Sequence, residues 1–93
     1  MLVAIRPHSP VGSMESVPAD FQWKTLVAPP FTLVVFDEAY REVGRLEGIP
    51  ARGCAIPEEW RAALEGSGTF SWRVTGVSEG RLVRSALVHC EFP

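Results

Sequence analysis

The sequence holds only two cysteines, Cys54 and Cys90, and a single lysine, Lys24. The cysteines fit neither a Cys-x-x-Cys redox motif nor the ligand spacing of a zinc site. They read as buried thiols packing like small hydrophobes; a disulfide between them would need Cα atoms within about 7 Å, which the sequence leaves open. Basic residues are scattered, no basic run interleaves with aromatics, and the formal net charge is −2, so no electrostatic footprint for nucleic acid exists. No stretch approaches the roughly 20 apolar residues of a membrane helix, so this chain is not expected to insert into a membrane. The opening residues, Met1 to Pro7, lack a basic leader followed by a long apolar segment. With two thiols that look unpaired, this favours the cytoplasm for the chain as given, and an extracytoplasmic place if it belongs to a longer secreted protein.

Signals of chemistry are equally scarce. His8 sits among prolines, His89 stands alone in a strand-like run, and neither has the His-x-His or Glu-x-x-His spacing of a metal site. The carboxylates Asp37-Glu38 and Glu58-Glu59 are sequence neighbours, which do not face each other on a helix or strand. No serine occupies a Gly-x-Ser-x-Gly elbow. Ser67 lies between Gly66 and Gly68, but this run precedes a strand rather than opening a helix, so it is not a phosphate cradle. No catalytic residue, metal or cofactor is expected, and the reading is non-enzymatic.

What is present is turn chemistry and β pattern. Residues 1–93 make one domain. Nearly half the residues are apolar, three are tryptophan, and eight glycines with eight prolines punctuate the chain, which suits short strands. Leu2 to Ile5 reads as a first edge strand stopped by Pro7 and Pro10. His8 through Asp20 reads as a loop with extended pieces. Phe21 to Lys24 alternates like a half-buried strand. Phe31 to Phe36, apolar on both parities, predicts a central strand. After a turn at Asp37 to Ala39, Tyr40 to Leu46 is expected to pair back, with Gly44 at a bulge. Cys54 to Ile56 is a minimal strand. Residues 57–65 predict the one helix, with Pro57 at its start, Glu58 and Glu59 in its first turn, and Trp60, Ala63 and Leu64 on one face.

The run from Thr69 to Phe92 is a β-hairpin about Ser78, Glu79 and Gly80. Phe70, Trp72 and Val74 share the inward face; Ser71, Arg73 and Thr75 share the outward one. On the return, Ala86, Val88, Cys90 and Phe92 point inward, and Leu87, His89 and Glu91 outward. Arg84 then falls on the inward parity, which requires a bulge or an early strand end between Val83 and Ser85.

These pieces suggest an all-β sandwich. Their order resembles the fibronectin type III-like, immunoglobulin-like modules of bacterial proteins. The resemblance rests on Arg6-Pro7, Ser9-Pro10 and Gly12, then Phe21-Gln22-Trp23, then Leu33 to Glu38, then Ile56 to Trp60 with Leu64, and finally Gly68 to Val74. It implies a seven-strand-type sandwich with the helix in the connection before the sixth strand, and a core position for Trp23. Leu64, Gly66, Gly68 and Phe70 occupy the places where the family carries leucine, a glycine turn and a tyrosine. Phe70 departs from that pattern, since it has no hydroxyl to tie the corner.

Such modules serve many roles, so function is read from the surface. The expected function is protein–protein interaction or assembly through a sheet face or an edge strand, with an unidentified protein, or a second copy of the chain, as partner. Arg73, Thr75, Arg81, Leu87 and His89 are the candidate partner surface, because arginine is enriched at interfaces and an outward leucine marks a partner surface. The alternative is an accessory or sensory ectodomain recognising glycan or cell-envelope polymer, which would need exposed tryptophan.

Overall fold

A computed structural model of the chain describes residues 4–13, 15 and 20–91. The architecture is mostly β, with two sheets facing each other like a sandwich and one short helix. The three-stranded sheet has the order β1 (Ile5–Ser9), β3 (Asp20–Thr25), β6 (Gly53–Ala55), antiparallel throughout. The six-stranded sheet runs β2 (Gly12–Ser13), β9 (Val88–Glu91), β7 (Thr69–Ser78), β4 (Phe31–Phe36), β5 (Glu42–Ile49), and β8 (Arg81–Arg84) pairs the far half of β7. Helix α1 (Glu58–Glu65) links β6 to β7.

The β patterns explain this layout. Phe21 and Trp23 of β3 are buried while Gln22 and Lys24 face out. Strand β4 lies between β5 and β7, with Leu33 and Val35 turned to the core and Thr32, Val34 and Phe36 on the opposite parity. Phe70, Trp72, Val74 and Gly76 line the inner side of β7. The core joins both sheets: the Phe21 and Trp72 rings meet edge-on at 5.1 Å, and Trp23 meets Phe31 at 5.6 Å. All three indoles are buried. The Trp72 Nε1–H donates to the Pro10 carbonyl at 2.8 Å, pinning the chain where it leaves the small sheet for the large one.

Several expectations are corrected. The first strand does not end at Pro7; β1 runs from Ile5 through Pro7 to Ser9. It is an outer strand with one ladder, so a missing N–H on its free side costs nothing, and the register shifts just after Pro7. Leu2 lies outside the described residues. Within the expected loop after His8, Gly12 and Ser13 form β2, parallel to β9. In α1 Pro57 is the N-cap residue rather than the first helical one, and only Trp60 and Leu64 are buried; Ala63 faces solvent. The strands number nine among the described residues because β2 is added and the last strand is broken.

That break is the bulge the parity conflict requires. Trp72 pairs with Val88 and Thr75 with Arg84, so Ser85, Ala86 and Leu87 stand opposite only two residues, Arg73 and Val74. Ser85 N–H donates to the Val74 carbonyl at 2.8 Å, and the Ser85 hydroxyl accepts from Val74 N–H at 3.0 Å. The extra residue reverses the parity of everything before it, so Arg84 faces outward beside Thr75 rather than inward, and Ala86 is exposed. Cys90 is buried as expected; Phe92 lies outside the described residues. Both cysteines are free.

The corner before β7 is held without an aromatic hydroxyl. Phe70 is buried, and the Ser67 hydroxyl donates to the Thr69 carbonyl at 2.6 Å while accepting from Glu38 N–H at 3.2 Å.

Candidate functional site

The outer face of the large sheet collects most of the sequence-predicted surface. Antiparallel partners project to the same side, so the register arranges this face in rows. Nearest the hairpin turn, Val77 pairs with Leu82. Next come Thr32, Thr75 and Arg84. Then Arg45, Val34 and Arg73 lie abreast, and finally Glu42, Phe36, Ser71 and His89.

Of the five predicted residues, Arg73, Thr75 and His89 stand together on this face, and Leu87 sits half-buried in the bulge two residues before His89. Arg81 pairs with Ser78, whose parity is that of the inner side, so it projects to the other side of the hairpin tip. Arg84 takes the outer place instead.

The face is apolar beneath and cationic above. Val34, although outward by parity, is only 4% exposed; it is flanked by Arg45 and Arg73, side chains long enough to lay methylenes across it. The Arg73 guanidinium carbon lies 5.7 Å from the centre of the Phe36 ring, a cation–π arrangement. Arg73 Nε is shielded from solvent and has no hydrogen-bond partner among the described residues. Arg45 is paired with Glu42 at 2.9 Å. Ser71 and His89 Nδ1 share a hydrogen bond of 3.0 Å, and the His89 ring meets Tyr40 edge-on at 6.1 Å. Tyr40 reaches this position from the β4–β5 turn, where its own φ is 59°; Asp37 holds the turn by accepting from the N–H groups of Ala39 and Arg41. Val77 and Leu82 are each 57% exposed, a cross-strand apolar pair open to solvent.

Ser71 touches an imidazole and is itself buried, 3% exposed. The described residues contain no cluster of three His, Cys, Asp or Glu able to hold a metal, and no helix long and apolar enough to cross a membrane. The thiols are quiet: burial first, and the nearby Asp20 carboxylate second, push Cys54 up to about 11. Burial likewise raises Cys90 to about 11, against lowering hydrogen bonds from Trp72 and the Gly12 backbone.

Sequence reasoning missed Val34, Phe36, Tyr40 and Arg84. The signal for the first two was visible: a strand with apolar residues on both parities, in a sheet with only one covered face, must leave some on the outside. In comparisons with known proteins, no family, no curated protein and no solved structure matches this chain.

Proposed function

We propose that this chain is a non-enzymatic interaction module of the fibronectin III-like kind, binding a protein partner through the outer face of its large sheet. The fold part of the reading is supported by the two-sheet arrangement. The small sheet runs β1-β3-β6, and the large one places β9, β7, β4 and β5 side by side. Such a module would likewise divide its strands between two facing sheets. Ser67 would take over the corner-fixing role of the absent tyrosine.

The single observation that carries the functional part is the composition of the outer face. Val34 and Phe36 form an apolar floor, Arg73 and Arg84 add charge without an ion-pair partner among the described residues, and Val77 with Leu82 extends apolar surface into solvent. Arginine over aromatic and aliphatic groups is the composition of interface centres. The glycan alternative gains no support, since Trp23, Trp60 and Trp72 are all buried.

Site-specific photo-crosslinking tests this. A benzophenone amino acid placed at Thr75 should capture a discrete partner from cells that make the protein, while the same group at Lys24, on the small sheet, should not. Equal capture from both faces, or from Lys24 alone, rejects the assignment.

A further inference from the structure

We infer that the free edge of β8 accepts an extended acidic-apolar peptide segment of a partner protein as an added strand; this rests on the interaction reading above and names where and what it grips. The turn between β7 and β8 has two residues, Glu79 at φ 51° and Gly80 at φ 77°, the type I′ geometry that closes a tight hairpin. Ser78 and Arg81 are therefore the closing hydrogen-bonded pair. Ladder bonds recur at every second residue, at Gly76 with Val83 and again where Ser85 N–H meets the Val74 carbonyl. It follows that the main-chain N–H and C=O groups of Leu82 and Arg84 point away from β7. Among the described residues no strand pairs with them. The same sheet edge takes an added strand one step along, where β2 lies parallel to β9.

The side chains around this edge define the occupant. Leu82 stands on the outer face, exposed beside Val77, and Arg84 follows two residues later on the same face. Arg81 flanks the edge on the opposite face. Neither arginine has an ion-pair partner among the described residues. Residues of an added strand hydrogen-bonded opposite Leu82 and Arg84 would share their face. The complementary segment thus carries an acidic residue and an apolar one, two positions apart, with a single residue between. A second copy of the chain fits less well. The antiparallel register that uses the outward groups of both β8 strands sets the two Arg84 side chains as diagonal neighbours, a repulsive contact.

The test is titration of the full chain with a short fluorescent threonine-rich peptide carrying glutamate and valine two residues apart. Controls are a lysine-for-glutamate peptide and one N-methylated at the two bonding positions. The glutamate peptide should bind and shift the amide resonances of Leu82 and Arg84, and N-methylation should abolish binding. Arg84→Glu should weaken it by about tenfold or more and transfer preference to the lysine peptide. No binding of the glutamate peptide at millimolar concentration, or binding indifferent to N-methylation, overturns the inference. So does concentration-dependent dimerisation occupying β8. Shifts confined to Ser71 and His89 would remove the edge assignment while leaving the sheet-face reading intact. Loss of Thr75 crosslinking with peptide binding retained would do the reverse.

Discussion

Gly44 shows how much a single hydrogen atom in place of a side chain can matter. The indole of Trp60 lies against its backbone on the inner side of β5, where a Cβ would overlap the ring. Gly44→Ala must therefore displace the helix that carries Trp60, and should cost about 1–3 kcal/mol, read as a lowered urea midpoint. The sequence predicts a bulge at Gly44. The register does shift there, with Val43 as the extra residue between Gly44 and Glu42, but the contact that requires glycine is with Trp60, a residue no local pattern could pair with it. The cysteines make a second test at this scale. A raised thiol pKa means the folded state keeps its proton where the unfolded chain would lose it. Stability from this source is present below pH 9.0, the ordinary thiol value, and is lost as pH climbs toward about 11. Near neutrality the thiolate is correspondingly rare, so Cys54 should react with iodoacetamide about a hundredfold more slowly than a free thiol, and Cys90 should react only on unfolding.

Among the elements, the β7–β8 hairpin is both the clearest sequence signal and the place where parity misleads. Alternation and the glycine turn are local, so the hairpin was legible. Whether Arg81 or Arg84 faces outward depends on the bulge, which one buried serine organises. Ser85→Ala leaves the Val74 N–H without its acceptor inside the sheet, and should cost about 1–3 kcal/mol by thermal or urea unfolding. Glu79 holds a positive φ that side chains other than asparagine or glycine adopt at a cost. Glu79→Asn should stabilise by about 0.5–1 kcal/mol, seen as a raised melting temperature. Strand β2 was illegible for a different reason: two residues carry no periodicity, and its partner is distant, as the hydrogen bond from Ser13 to Glu91 shows. Strand β1 outruns its sequence pattern because proline alone reads as a stop. An edge position tolerates it.

For the whole molecule, burial of aromatic residues was readable and the surface was less so. The inward sets Phe21/Trp23 and Phe70/Trp72/Val74 follow from alternation alone. The candidate face follows from which strands become neighbours, and β4, β5, β7 and β9 meet only in the folded sheet. Because Arg73 lies over Phe36 and above Val34 rather than within the core, Arg73→Ala should leave the unfolding midpoint within about 0.5–1 kcal/mol of the parent, while reducing Thr75 crosslinking to the partner; a collapse of stability would make Arg73 structural instead. The parallel pairing of Gly12–Ser13 with Cys90–Glu91 has a mechanical side. Tension applied between the two ends of the chain pulls these strands along their length in opposite directions. Their bonds are then strained together rather than peeled one by one, and the Pro10 carbonyl, gripped by the Trp72 indole, acts as the catch of that clasp.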